Sequence, residues 1–110
     1  MNLKSIQEKV KIMDQKTRPH YKLYTQTEKE ILTKTVKLNE EVGELCNDIL
    51  SILKLQRKAK LDKFNKSNIY QEFADVIITT IQLASAAGVD VERAVQDKLK
   101  KIEEKYMPKS

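Results

Sequence analysis

An apolar seam that runs from Ile31 to Ile52 constrains the fold of this chain more than any other feature. Its members alternate steps of four and three residues: Ile31, Thr35, Leu38, Val42, Leu45, Ile49 and Ile52. Steps of this size place side chains on one face of an α-helix. The pattern therefore predicts a long amphipathic helix, with Thr35 as its one polar member, that packs against other helices.

The composition and the helix-end signals extend this prediction to the whole chain. It has 110 residues, only two glycines and two prolines, and 34% charged residues, which favours one all-α domain over residues 1–110. Capping residues and glycine or proline punctuation predict four helices that form a bundle. Their predicted limits are 2–16, Thr25 or Thr27 to about 58, Ser67 to Gly88, and 91–106 after Asp90.

Two classes of protein are disfavoured by the distribution of charge and cysteine. Charges interrupt the N-terminal stretch "MNLKSIQEKV", so we expect no signal peptide, and no stretch approaches the roughly 18 apolar residues of a membrane span. The single cysteine, Cys46, cannot form an internal disulfide and is predicted to be a small buried side chain in a reducing compartment. We expect a cytoplasmic protein.

The net charge of +5 raises the question of an anionic partner. Much of the excess lies in "KLQRKAKLDKFNK" (54–66), which has one aromatic residue, Phe64. Such a run usually forms a solvated face or loop, and nucleic-acid binding would favour more aromatic residues among the cations. Small anionic molecules are therefore the preferred partners in this interpretation.

An acidic stripe accompanies the seam. Glu41, Glu44 and Asp48 lie about 60–130° from the centre of the seam at 100° per residue, so neighbouring helices should cover them in part. Glu40 lies further round the helix. One interpretation is pairing with lysine, because Lys37 is one turn from Glu41.

A second acidic pair favours a metal site instead. Glu72 and Asp75 lie on a predicted helix that is apolar around most of its circumference, with no basic neighbour at helical spacing. If the two helices are antiparallel, four carboxylates converge, and they must either raise their pKa values or bind a cation. Oxygen ligands without histidine suit Mg²⁺, with Mn²⁺ as a substitute. The one histidine, His20, is predicted to be a loop residue.

These acids also carry a family resemblance. "EEVGEL" (40–45) and "EFAD" (72–75) resemble the Glu-Glu-x-x-Glu … Glu-x-x-Asp signature of the all-α nucleoside triphosphate pyrophosphohydrolases, the MazG-like family. The likeness continues to residue 106 and covers about two-thirds of the chain.

The resemblance implies an oligomeric helical bundle, a homodimer or homotetramer, that hydrolyses a nucleoside triphosphate between its α and β phosphates. It implies Mg²⁺ as cofactor, bound by Glu41, Glu44, Glu72 and Asp75. Glu40 and Glu41 would be the catalytic residues, with Glu40 orienting or deprotonating a water molecule. The implied substrate-binding residues are Lys98, Lys101, Thr79 and Tyr21.

Other functions stay open. Ile102 stands where many relatives have asparagine, which leaves the substrate undecided, and a phosphoribosyl-ATP pyrophosphohydrolase is the alternative within the enzyme class. A non-enzymatic helical interaction module, or a basic nucleic-acid-binding regulator, would use the seam or the charge without the acids. The length of the seam also predicts a second copy, because the shorter helices cannot cover all of it.

Overall fold

The chain forms five α-helices and no strand within the part that the computed structural model describes, which is residues 2–18, 22, 25–63, 65 and 68–107. The helices are α1 (Leu3–Thr17), α2 (Gln26–Ile52), α3 (Lys58–Lys63), α4 (Ile69–Ala86) and α5 (Val91–Tyr106). The all-α prediction is confirmed.

Local side-chain caps begin three of these helices. The Thr25 hydroxyl accepts from the Glu28 amide at 3.1 Å, while Glu28 Oε1 accepts from the Thr25 amide at 3.0 Å. Asn2 and Ser5 form the same reciprocal box at α1, and Asp90 caps α5 through the Arg93 amide at 3.1 Å. The starts predicted at Thr25 and Asp90 are confirmed. The predicted N-cap Ser67 lies outside the described residues.

The predicted end of the second helix at about residue 58 is wrong, because α2 ends at Ile52. Lys54 adopts the left-handed conformation with φ 58°, and the Leu55 amide donates to the Leu50 carbonyl at 2.8 Å. This is the Schellman arrangement that also ends α4, where Gly88 has φ 74°. The chain therefore turns at Lys54 and forms the separate short helix α3.

The main packed unit is the antiparallel pair of α2 and α4. Glu30, near the start of α2, shares a cleft with Ser85, near the end of α4. At the other end of the pair, Ser51 of α2 shares a cleft with Glu72 of α4. The pair brings the two predicted acidic segments face to face.

The described helices do not assemble into a four-helix bundle within one chain. The axis of α5 turns by 107° from that of α4, and only α2 and α4 pack extensively. The radius of gyration is 20.7 Å, whereas a compact chain of this length would have roughly 13 Å. No single described helix has the length and apolarity to cross a membrane, although the bent pair of α4 and α5 passes the same test jointly.

The subunit leaves its apolar faces open. No apolar side chain is buried in the described part of the chain, and Val36 and Ile77 are 61% and 58% exposed. The third predicted helix, which corresponds to α4, is apolar enough to be expected in the middle of a bundle, but the other described helices of this chain do not enclose it. Cys46, predicted to be buried, is exposed for the same reason.

The buried residues of the described part are all polar. Glu41, Ser51 and Thr79 are the ones that lose nearly all contact with solvent. Since a buried polar group needs a partner, the region between α2 and α4 calls for a chemical explanation.

Candidate metal centre

Three carboxylates from the two packed helices converge on one point. Glu41 of α2 and Glu72 and Asp75 of α4 each place one carboxylate oxygen so that all three oxygens lie within 4.8 Å of one another. Glu72 and Asp75 share a face of α4 because they are three residues apart. The antiparallel packing of α2 then brings Glu41 to the same face.

Burial increases from one side of this cluster to the other. Glu41 is buried at 8% exposure, Glu72 is half-buried and Asp75 is exposed. The cluster therefore opens to solvent at Asp75 and closes at Glu41.

Lys37 compensates part of the negative charge. Its Nζ lies 3.2 Å from Glu41 Oε1 and 3.3 Å from Glu40 Oε1. These two carboxylates hold the pKa of Lys37 above its ordinary value, chiefly through the hydrogen bond with Glu41. The lysine-pairing interpretation is thus correct for one oxygen of Glu41.

The second carboxylate oxygens of Glu41 and Glu72 are in a different environment. Glu41 Oε2 and Glu72 Oε2 are shielded from solvent, and neither has a hydrogen-bond partner among the described residues. A shielded carboxylate oxygen without a partner is destabilising by about 1–3 kcal/mol or more. A bound cation or a proton at these oxygens would remove that penalty.

The pKa values of the neighbouring acids also indicate an excess of negative charge in this region. Burial raises the pKa of Glu72, and the charges of Asp48 and Glu44 raise it further. The pKa of Glu44 is also raised, first by the charge of Glu41 and then by burial. The negative charge of the acids in and around the cluster thus exceeds the positive charge that Lys37 supplies.

A model of the MazG-like family matches residues 32–109, which span most of α2 and all of α3, α4 and α5. The chain belongs to the MazG-like family. No match was found among curated proteins or among solved structures. The matched segment contains all three acids of the cluster, and α1 lies before it.

The structure of this MazG-like chain separates the predicted metal ligands into two groups. Glu41, Glu72 and Asp75 form the cluster, whereas Glu44 is exposed and does not belong to it. Glu44 nonetheless lies close enough for its charge to raise the pKa of Glu72. Glu40 is exposed and is linked to the cluster through Lys37.

The predicted substrate-binding residues of the MazG-like chain also lie in different parts of the structure. Thr79, one turn after Asp75, is buried at 6% exposure. Lys98 and Lys101 lie on α5, where they line a separate cleft of about 290 Å³ with Ile102. Among the described residues, neither lysine forms an ion pair with an acid of the cluster. Tyr21 lies outside the described residues.

One part of the site was not foreseen from the sequence. A cleft of about 280 Å³ begins at Glu72 and is walled by Asn47 and Ser51 of α2 and by Lys60 and Lys63 of α3. The Asn47 side-chain oxygen accepts from Gln56 Nε2 and from Lys60 Nζ. The spacing of Asn47 and Ser51, four residues apart on α2, was the available signal, because it puts two polar side chains on one face.

Proposed function

We propose that this MazG-like protein is a Mg²⁺-dependent nucleoside triphosphate pyrophosphohydrolase that produces a nucleoside monophosphate and pyrophosphate. The observation that supports it most is the pair of shielded oxygens, Glu41 Oε2 and Glu72 Oε2, without a partner among the described residues. They belong to three carboxylates whose oxygens lie within 4.8 Å of one another. Family membership directs this cluster toward pyrophosphohydrolase chemistry.

Glu41, Glu72 and Asp75 would hold the cation, with Glu44 as a further ligand from the family motif. All offer carboxylate oxygen, which suits Mg²⁺ or Mn²⁺ better than zinc. When bound, such a cation neutralises phosphate oxygens and lowers the pKa of a coordinated water molecule. Asp75, on the open side, would meet the substrate, while buried Glu41 fixes the closed side of the site.

Glu40 would act on the attacking water as an orienting or deprotonating group. It is one residue from Glu41, and both carboxylates contact Lys37 Nζ. Lys37 thus fixes the position of Glu40 relative to the cluster. Thr79 would contact the substrate side of α4, and Tyr21 would contribute from the chain segment before α2.

A homodimer or homotetramer would complete this site. The open apolar faces of α2 and α4 fit a second copy of the same chain, since such patches usually mark interfaces. Lys98 and Lys101 line a cleft on α5 that none of the cluster acids lines, so a second copy would supply them. We propose that the single domain over residues 1–110 works as such an oligomer in the cytoplasm.

A helical interaction module without catalytic activity is the second candidate. The open apolar faces favour it, because they would bind another helical protein equally well. It offers no reason for the shielded oxygens of Glu41 and Glu72, which is why we rank it second.

Release of pyrophosphate from a panel of nucleoside triphosphates tests the proposal. We expect turnover with Mg²⁺, weaker or equal turnover with Mn²⁺, and none with EDTA. Including phosphoribosyl-ATP in the panel separates the two enzyme classes. Complete inactivity across the panel in the presence of both metals would overturn the proposal and leave the interaction module.

A further inference from the structure

The cleft beside the acidic cluster contains two cations that the proposed reaction has not used. Lys60 and Lys63 of α3 face Asp48 and Glu72 across it, and no ion pair joins the two sides within the described part of the chain. Opposite charges that share a cleft without pairing leave room for a ligand between them. The volume of about 280 Å³ is close to the lower end of roughly 300–1,000 Å³ for small-molecule sites.

The chain holds α3 over this cleft by specific contacts. After the turn at Lys54, the side chains of Gln56 and Lys60 both donate to the Asn47 side-chain oxygen, which ties α3 to α2. Lys60 and Lys63 are three residues apart, so they share one face of α3, and that face lines the cleft. Lys58, on the same helix, does not line it.

The charged residues that line the cleft favour a ligand that is an anion and that also binds a cation. The lysines would repel a cation that arrived alone, and Asp48 and Glu72 would repel an anion that arrived alone. A diphosphate that bridges the metal cluster and the lysines satisfies both walls. Asn47, Ser51 and Asn68 add polar groups around it.

We propose that Lys60 and Lys63 form the subsite for the diphosphate part of the substrate, which leaves as pyrophosphate. The inference rests on the proposed function and names cations from the same subunit as the acids. Lys98 and Lys101, in contrast, line a different cleft, on α5. Two lysines of the basic run, Lys60 and Lys63, would therefore belong to the site rather than only to a solvated face.

The test compares three lysine variants by calorimetric binding of inorganic pyrophosphate in the presence of Mg²⁺. Lys63→Ala should weaken this binding by about tenfold or more, which equals about 1.4 kcal/mol, and raise KM by a similar factor. Lys63→Arg should stay within about threefold of the wild type because it keeps the charge. Lys58→Ala should have no effect.

Lys60→Ala gives a second measurement of pyrophosphate binding. Circular dichroism should be used to check its helix content, because Lys60 also ties α3 to Asn47. Unchanged pyrophosphate binding in Lys63→Ala, or no binding by the wild type, would overturn the inference. These results are separate from those on the proposed function. A wild type that releases pyrophosphate from nucleotides, with a Lys63→Ala variant of equal affinity, would refute the subsite and keep the enzyme.

Discussion

Lys37 Nζ lies 3.2 Å from one carboxylate oxygen of Glu41, while the other oxygen of that carboxylate is shielded from solvent and has no partner among the described residues. One oxygen of Glu41 is thus paired with a lysine of its own helix, and the same carboxylate belongs to the cluster with Glu72 and Asp75. A carboxylate arranged in this way is held in position by the lysine and keeps one oxygen available for a ligand.

Removing one acid of the cluster should abolish activity without harming the fold. Asp75→Asn keeps the volume of the side chain and removes a charged ligand, so kcat should fall at least about a hundredfold. Without metal its melting temperature should equal or exceed that of the wild type, because one repulsion disappears. Glu104→Gln, an exposed substitution on α5, is the control. Full activity in Asp75→Asn would refute the metal assignment.

The raised pKa of Glu72 predicts how the metal-free protein responds to pH. Folding raises this pKa above its ordinary value of 4.5, so the folded chain holds the proton more tightly than the unfolded chain. The associated stability is present below pH 4.5 and is lost as pH rises through the raised pKa. Melting temperatures in EDTA should therefore decrease as the pH rises above 4.5.

Two controls isolate this effect. Glu72→Gln should make the decrease in EDTA smaller, because it removes one of the two acids with a raised pKa and leaves Glu44. Added Mg²⁺ should reverse the trend in the wild type, since metal ligands must lose their protons. An identical slope in the wild type and in Glu72→Gln would show that other groups govern the pH response.

Lys98 and Glu72 line different clefts, so we expect Lys98 to bind the substrate held by the acids of another subunit. Lys98→Ala should reduce kcat/KM by the equivalent of about 1.5–3 kcal/mol, as for other lost charged hydrogen bonds. Lys100→Ala, its neighbour on α5, should have little effect. Mixing Lys98→Ala subunits with Asp75→Asn subunits should restore activity, because some mixed sites then contain both native residues. No recovery after subunit exchange would mean that Lys98 acts within its own chain or not at all.

The open apolar faces predict association at micromolar concentration. Light scattering should give at least twice the 12.8 kDa mass of one chain. Ile77→Glu places a charge on the exposed face of α4, so it should shift the protein toward the monomer and lower activity with it. Lys58→Glu should leave the mass unchanged. A fully active wild-type monomer would refute the requirement for a second copy.

The turn at Lys54 predicts a simple stabilising change. A lysine in the left-handed region is strained relative to glycine, so Lys54→Gly should raise the free energy of unfolding by about 0.5–1 kcal/mol. Gly88→Ala, at the equivalent turn after α4, should lower it by about 1 kcal/mol or more. Urea unfolding of both variants measures the two effects. A loss of stability in Lys54→Gly would mean that the lysine side chain contributes more than its backbone strain removes.

These two turns also show which helix ends could be predicted from the sequence. Gly88 predicts the turn after α4, because glycine readily adopts positive φ. Lys54 gives no such signal, and Leu53 and Leu55 continue the apolar series, so the end of α2 was placed about six residues too late. Local caps such as Thr25 and Asp90 were predictable because their hydrogen bonds span only three residues.

The site was predictable to the same degree. Glu41, Glu72 and Asp75 were found from their helical spacing and from the lack of basic neighbours around the second pair. The position of Lys63 in the cleft beside Glu72 was not, because it depends on how α3 is tied to Asn47. The direction of α5, which carries Lys98, was also hidden, since no local pattern indicates the 107° angle between α4 and α5.

The change in burial from Glu41 to Asp75 has a consequence for metal exchange. A cation would meet exposed Asp75 before buried Glu41, and Mg²⁺ usually keeps several of its waters when it is bound. The open side keeps the outward path short, so dissociation should be fast and the ion should not survive dialysis. Occupancy would then follow the free Mg²⁺ of the surroundings, and the protein would respond to that concentration from moment to moment rather than carry a permanent ion.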